Sequence, residues 1–248
     1  MVKKMRVDQL VVERGLAESR SRAQAHIMAG NVFSGARKID KSGTQLALDA
    51  PLELRSKEHP WVSRGGLKLM QAIEEFSLDI AGKHVIDVGA STGGFTDVCL
   101  HHGAAKVYAV DVGHGQLAWK LRKDERVIVM EKTNARYLSK EQIPEPVHMI
   151  VCDASFIGLQ TILPAPMALA ADGCILAALI KPQFEVGRGN VGKGGVVRDA
   201  ELHEQVCRKI KDWITDDMAG WTVIGLTTSP IKGPEGNIEF LIIAEYKK

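Results

Sequence analysis

The sequence has no stretch long enough to cross a membrane. Its longest uninterrupted apolar run, residues 174–180, is far shorter than the roughly 18 to 20 residues that span a bilayer. No transmembrane helix and no membrane partner are expected. The opening Met-Val-Lys-Lys-Met-Arg is followed by a charged, amphipathic stretch without the apolar core of a secretory signal, so a cytoplasmic protein is expected. Cysteine is scarce and scattered: Cys99, Cys152, Cys174 and Cys207 form no Cys-x-x-Cys pair and have no histidine at ligand spacing. That argues against a disulfide framework and against a metal site, and implies reduced, mostly buried thiols. Net charge is low as well, at +2 over 248 residues, yet it is unevenly spread. Residues 1–60 hold 11 Lys and Arg against 7 Asp and Glu, whereas the remainder holds 21 against 23. A basic minority beside a near-neutral majority suggests a small polyanion-binding module attached to something else, although an ordinary solvated surface is the alternative. At 45% apolar residues the chain can bury a real core, in one large or two modest domains.

The first 60 residues read as two short helices, 6–16 and 19–30, followed by extended pieces at 31–33, 45–48 and 51–54. Leu10, Val11 and Leu16 supply apolar positions in the first helix, Ala23, Ile27 and Met28 in the second. Ser19 or Ser21 can cap the second helix, and Gly30-Asn31 ends it. On Arg6-Val7-Asp8, Ser19-Arg20-Ser21-Arg22-Ala23 and Ile27-Met28-Ala29-Gly30-Asn31-Val32, residues 5–55 resemble the RNA-binding fold of ribosomal small-subunit protein four. The resemblance implies that Arg20 and Arg22 face RNA phosphates, with Arg6 and Lys41 nearby. The alternative is a helix-surface ion pair with Glu13 or Glu18.

His59-Pro60-Trp61-Val62 interrupts the pattern, since proline and the residue before it favour extended backbone. Three segments follow: an RNA-binding domain at 1–58, a linker at 59–62 and a larger domain at 63–248. Trp61 is expected to pack between domains, with stacking on a base as the other possibility. Beyond it, a helix with Leu67, Leu69, Met70, Ile73 and Phe76 as apolar positions precedes alternating strands and helices. Strands are expected at 84–88, 106–110, 127–130, 148–152 and 174–180, and helices from 95, from 116 and near 199–218. Two final runs, 221–227 and 238–246, are too close for a helical crossover and should pair antiparallel. The fold class is therefore α/β: a Rossmann-like, seven-stranded sheet with a small N-terminal α+β domain. Trp119, Trp213 and Trp221 sit in apolar patterns and are assigned to the core.

Asp87-Val88-Gly89-Ala90-Ser91-Thr92-Gly93-Gly94-Phe95 marks the turn from the first large-domain strand into a helix, the place where doubly wound sheets bind ligands. Asp111 follows Gly89 by 22 residues, at the end of the next strand, where a carboxylate can accept from both hydroxyls of a ribose. Val112 adjoins it. A dinucleotide fingerprint is missing, because position 91 is serine, and Asp87 stands where a phosphate would be repelled. S-adenosylmethionine, a phosphate-free sulfonium, suits Asp87 better than NAD does. Asn134 follows the third strand and either meets the adenine edge or only caps a turn.

Asp153 and Lys181 end the fourth and fifth strands, and Glu239 opens an antiparallel last strand, so all three belong to one sheet edge. Lys68 precedes the first strand and can reach over it. Two lysines and two carboxylates suit methylation of a ribose hydroxyl, a poor nucleophile that loses its proton as the methyl group arrives. A lysine serves as base only when neutral, a state favoured by a second nearby lysine and partial desolvation. Lys181 is assigned as base, Lys68 and Asp153 as positioning groups, and Glu239 as the end of the network. Gly187-Arg188-Gly189-Asn190-Val191-Gly192-Lys193-Gly194-Gly195 reads either as a basic loop, with Arg188 and Lys193 over RNA backbone, or as a plain connection.

Six ordered motifs now carry a resemblance across essentially the whole chain. They are Ser63-Arg64-Gly65-Gly66-Leu67-Lys68, the 87–97 turn, Ala109-Val110-Asp111-Val112-Gly113-His114-Gly115-Gln116-Leu117, Asp153-Ala154-Ser155-Phe156-Ile157, Lys181-Pro182-Gln183-Phe184-Glu185 and Gly233-Pro234-Glu235-Gly236-Asn237-Ile238-Glu239. Together they resemble the TlyA (hemolysin A) family. The resemblance implies an S-adenosylmethionine-dependent enzyme that methylates the cytidine ribose 2′-hydroxyl of ribosomal RNA. It also implies a Lys-Asp-Lys-Glu tetrad of the RrmJ/FtsJ type, matched here by Lys68, Asp153, Lys181 and Glu239, with Arg64 also placed toward RNA. Ala154 departs from the pattern, where Leu or Val is expected. Two other readings stand beside this one: a membrane-active hemolysin, and an RNA-binding ribosome assembly factor without turnover.

Overall fold

The computed structural model describes residues 3–28, 30–54, 59–233 and 235–248. The chain divides into two compact units, Met1–Pro60 and Trp61–Lys248. The expected boundary after residue 58 abuts residues 55–58, which lie outside the described residues. No helix among the described residues is long and apolar enough to cross a membrane.

In the first unit, helices Val7–Glu13 and Arg20–Met28 pack through Val7, Val11, Ala23 and Ile27 against Val32 and Ile39. The first helix is shorter than its apolar pattern predicts. It stops at Gly15, whose φ of +69° admits the left-handed turn in which the Leu16 N–H returns to the Val11 carbonyl. The Arg22 N–H donates to Ser19 Oγ, so Ser19 is the cap. Strand Lys4–Arg6 pairs antiparallel with Gln45–Ala47, and Val32–Ser34 pairs with both Arg37–Lys38 and Glu53–Leu54.

The second unit is built on a seven-stranded sheet. Its order is Trp221–Thr228, Phe240–Tyr246, Ala170–Ile180, Val147–Cys152, His84–Val88, Lys106–Val110 and Val127–Met130. The last five strands of that order are mutually parallel, and Phe240–Tyr246 runs antiparallel to both its neighbours. Strand periodicity divides the core cleanly. Ile86, Val88, Ile150, Cys152, Leu176, Ala178, Ile242 and Ala244 enter one apolar cluster, and the alternating Val85, Met149, Val151, Ala177, Leu179, Leu241 and Ile243 enter the other. Both faces are covered by helices, which is why the central strands read as continuous apolar runs.

One tryptophan joins the core of the second unit and another departs from expectation. Trp61 packs within the second unit, 6% exposed and edge-on to His101 at 5.2 Å. Gly66 makes room for it, since a Cβ there would lie 2.6 Å from the indole ring. Trp119, assigned to the core, is instead 69% exposed with Lys123 Nζ 5.0 Å above its ring. The helix expected from residue 116 is the single turn Trp119–Arg122, in which Leu121 points inward, joins Leu117 against Gly93 and leaves the indole outside. Trp213 and Trp221 are buried as expected.

Candidate active site

Register brings the charged residues together. Ile180 pairs with Phe240, so Lys181 and Glu239, one step beyond that pair, leave the sheet side by side. Val88 pairs with Cys152, so Asp153 emerges beside Gly89. Helix Gly66–Phe76 carries its apolar residues onto the sheet face that also holds Asp87, and Lys68 in its first turn reaches this edge. The helix can come close because Gly94 is glycine: a Cβ there would stand 3.0 Å from the Gly66 nitrogen.

Lys68 Nζ donates to Asp153 Oδ1 at 3.1 Å, to Asp153 Oδ2 at 3.2 Å and to Glu239 Oε2 at 2.7 Å. Lys181 Nζ lies 2.7 Å from Asp153 Oδ1 and donates to the Asp153 carbonyl and to Ser155 Oγ, each at 2.9 Å. One carboxylate thus bridges two buried ammonium groups, and a second closes the row. Buried charges persist only when paired in this way.

The 87–95 turn forms the adjoining wall. Asp87 is buried, and its Oδ2 accepts from the Thr96 N–H at 2.9 Å and the Thr96 hydroxyl at 2.7 Å. Burial pushes its carboxyl up to about 7, against the opposing hydrogen bonds of Thr96. Its Oδ1 is buried without a hydrogen-bond partner. Gly89, at φ +80°, lies so near the next segment that a Cβ would sit 2.8 Å from the Ala154 Cα. The small residue at 154, a departure at sequence level, faces this close approach. Ser91 occupies the left-handed region at φ +48°, which turns its N–H to Asp111 Oδ2 at 2.8 Å. Gly113 donates to Asp111 Oδ1 at 2.6 Å.

Two cavities meet here. The smaller, about 220 Å³, is lined by Arg64, Lys68, Asp87, Lys181 and Glu239, together with Ala90, Thr92, Gly94 and Phe95 of the turn. The larger, about 500 Å³, is lined by Asp111, Val112, Asn134, Ala154 and Phe156. Gly89, Ser91, Asp153 and Ser155 border both. Gly93, expected to meet the cofactor, lines neither cavity; at φ +95° it packs against Leu117 and Leu121. Asn134 both borders the larger cavity and caps a 3-10 turn, accepting from the Arg136 N–H at 3.1 Å.

The site thus combines a left-handed glycine-serine turn, a carboxylate held by two backbone amides and a Lys-Asp-Lys-Glu row. Residues 61–246 match the model of the FtsJ-like methyltransferase family, and residues 5–49 match the S4 domain. The 16S/23S rRNA (cytidine-2'-O)-methyltransferase TlyA of Mycobacterium tuberculosis is 45% identical over 247 residues, covering 98% of this chain and 90% of that one. The chain belongs to the TlyA (hemolysin A) family. Within it, the Bacillus subtilis protein described as "Putative rRNA methyltransferase YqxC" is 48% identical over 97% of this chain and 85% of its own. A solved structure described as "Putative hemolysin from Streptococcus thermophilus" superposes with a TM-score of 0.76 at 44% identity, covering all of this chain and 90% of that one. Family membership makes the second unit an FtsJ-like methyltransferase domain and the first an S4 domain.

The residues expected to meet RNA, in both units, divide into two kinds. Arg6 and Arg20 both turn toward Asp8, at 3.0 and 2.9 Å, and Gln24 joins them at 3.1 Å. The Arg6 guanidinium, foremost, holds the Asp8 carboxyl well below the usual carboxylate range. The acid partner is thus Asp8, neither Glu13 nor Glu18. Arg22, Lys41, Arg64 and Lys193 are exposed, and the side chain of Arg188 lies outside the described residues. The 187–195 loop is anchored at its far end, where Asn237 accepts from the Val197 N–H and donates to the Gly195 carbonyl, both at 2.9 Å.

Several residues that hold the candidate site's side chains carried no chemical signal of their own in the sequence. Thr96 orients Asp87, Ser155 holds Lys181, and Gln116 accepts from the Ser91 hydroxyl at 3.1 Å. Each is a common polar residue whose role depends on a partner distant in the chain. Their place inside the quoted motifs, with Ser155 two residues after Asp153, was the available clue.

Proposed function

We propose that this chain transfers the methyl group of S-adenosylmethionine to the ribose 2′-hydroxyl of cytidine in ribosomal RNA. The observation that carries the reading is the Lys68-Asp153-Lys181-Glu239 row beside the border of two cavities. S-adenosylmethionine, when bound, supplies an electrophilic methyl group. The residues present suit it: the buried Asp87 Oδ1 lines the smaller cavity without a hydrogen-bond partner, an acceptor that would disfavour a phosphate. Asp111, aimed by the Ser91 and Gly113 amides, retains lone pairs for ribose hydroxyls, and Asn134 offers an amide to a base edge.

Lys181 Nζ is the group that takes the proton of the attacking hydroxyl. Its partner Ser155 Oγ accepts from the ammonium and can donate to the neutral amine, so this position serves both protonation states. Asp153 fixes the lysine through its carbonyl and its carboxylate, and Lys68 with Glu239 fixes Asp153 in turn. Holding hydroxyl and methyl group in line is the larger share of the work, because correct orientation replaces a bimolecular encounter. Phe156, 89% exposed at the rim of the larger cavity, offers a ring face to an incoming base. The S4 domain, with Arg22 and Lys41 exposed, supplies sequence-independent grip on phosphates.

Radiolabelled methyl transfer into ribosomal subunits, followed by mapping of the modified nucleotide, tests the proposal. Label in a cytidine 2′-O-methyl group, lost with Lys181→Ala, is the expected result. Label in protein, or unchanged incorporation by Lys181→Ala, overturns it.

A further inference from the structure

Glu185 lies outside the catalytic row, four residues beyond Lys181, yet its side chain is only 4% exposed. Its Oε1 accepts from the Leu159 N–H at 2.8 Å. Burial pushes its carboxyl up, and the Leu159 amide opposes that shift. Lys209 Nζ stands 3.9 Å from Oε2, on the surface side. Gly158 leaves the necessary space, since a Cβ there would lie 3.0 Å from Oε2. A buried carboxylate with one short backbone contact is a costly element to maintain unless it holds something in place.

What it holds is the segment that follows Asp153. Phe156 sits at φ +67°, a left-handed conformation that an aromatic residue adopts only when its surroundings impose it. Residues 181–185 grip this segment at three successive points. Lys181 takes the Asp153 carbonyl and Ser155 Oγ, Phe184 packs on Phe156 with ring centroids 5.2 Å apart, and Glu185 takes the Leu159 amide. The first contact lies before the strained residue and the second is on its ring. The third lies beyond it and closes the turn.

We propose that Glu185 is a positioning residue for methyl transfer: by fastening the Leu159 amide it keeps the 153–159 segment bent, with Ser155 on the base and Phe156 at the substrate rim. The inference rests on the methyltransferase reading above, but the clasp itself is testable without catalysis. Loss of a charge-assisted hydrogen bond to a backbone amide corresponds to about ten- to a hundredfold in the population of the held state.

Hydrogen exchange followed by mass spectrometry on the full-length protein measures that population directly. Glu185→Ala is expected to speed exchange in peptides covering 154–162 by at least about tenfold, leaving peptides covering 84–100 unchanged. Glu185→Gln, which keeps an acceptor for the Leu159 amide, is expected to restore protection. In methyl-transfer kinetics, Glu185→Ala is expected to lower kcat about ten- to a hundredfold, with the dissociation constant for S-adenosylmethionine within about twofold of wild type. Glu185→Gln is expected to recover most of kcat. Unchanged exchange at 154–162 in Glu185→Ala overturns the clasp whatever the activity. Increased exchange with unchanged kcat overturns the positioning role, and equal loss in Glu185→Gln and Glu185→Ala overturns the hydrogen-bond explanation. Wild-type protein inactive on every ribosomal substrate, with local exchange behaving as described, would remove the methyltransferase reading and the positioning role while leaving the clasp established.

Discussion

Asp153→Asn is the substitution that most directly tests the charge row. The side chain keeps its shape, so the cavity is not enlarged, but a network of two cations and two anions becomes one of two cations and one anion. Lys68 and Lys181 are 8% and 7% exposed at their side chains, and both lie within 3.2 Å of the carboxylate they lose. Breaking a buried pair by removing one partner costs about 3 to 5 kcal/mol. Asp153 is itself 20% exposed, so water replaces part of the interaction and the lower end, about 3 kcal/mol, is expected. For a unit of this size that lowers Tm by roughly 6 to 12 °C. The turnover number should fall by at least about a hundredfold, because the amide leaves the base without its orienting carboxylate. Circular dichroism melts and initial rates of tritiated methyl transfer into ribosomal RNA read the two effects separately. A Tm within about 2 °C of wild type, together with kcat within about fivefold, would refute the view that this carboxylate organises both lysines.

Asp87 yields a pH prediction with a definite sign. Its folded-state value of about 7 lies above the ordinary 3.8, so the unfolded chain binds fewer protons between those values and the ligand-free protein loses stability from this group as pH rises through that window, levelling off above about 7. Asp87→Asn should remove that loss and raise the ligand-free Tm at pH 8 relative to wild type while abolishing cofactor binding, read by thermal melts and calorimetry. Gly89→Ala places a Cβ 2.8 Å from backbone at Ala154 and forces alanine to φ +80°, so a destabilisation of about 2 kcal/mol or more in urea titrations is expected. Arg22→Ala should weaken ribosomal RNA binding uniformly and reduce the salt dependence by about one unit of slope, measured by filter binding at several ionic strengths. Cofactor affinity should be untouched by that change.

Much of the site was legible because its residues sit at strand ends. Asp111, Asp153 and Lys181 each follow a run of buried apolar residues, and strand polarity alone assigns them to one edge. The antiparallel last strand then brings Glu239 to the same edge, an inference that needs only the short connection after Thr228. Arg6, Arg20 and Trp119 were harder to place. An arginine on a helix surface offers the same signal whether it faces phosphate or a carboxylate, and Asp8 was the partner that only packing of the two helices could reveal. Trp119 followed an apolar pattern, yet a single helical turn has room to bury Leu121 or the indole, not both.

By itself the sequence determined the order of elements, the glycine-rich turn and the four charges of the row, since these depend on local periodicity and on residue chemistry. Only the tertiary structure decided which partner each charge meets. Asp153 bridges two lysines, Thr96 rather than a ligand satisfies one oxygen of Asp87, and Glu185 reaches an amide 26 residues away. Such contacts join segments far apart in the chain, and their geometry is set by how closely helices and strands approach. That closeness depends on small residues such as Gly89, Gly94 and Gly158, which announce flexibility in a sequence but act in the fold as spaces for something else.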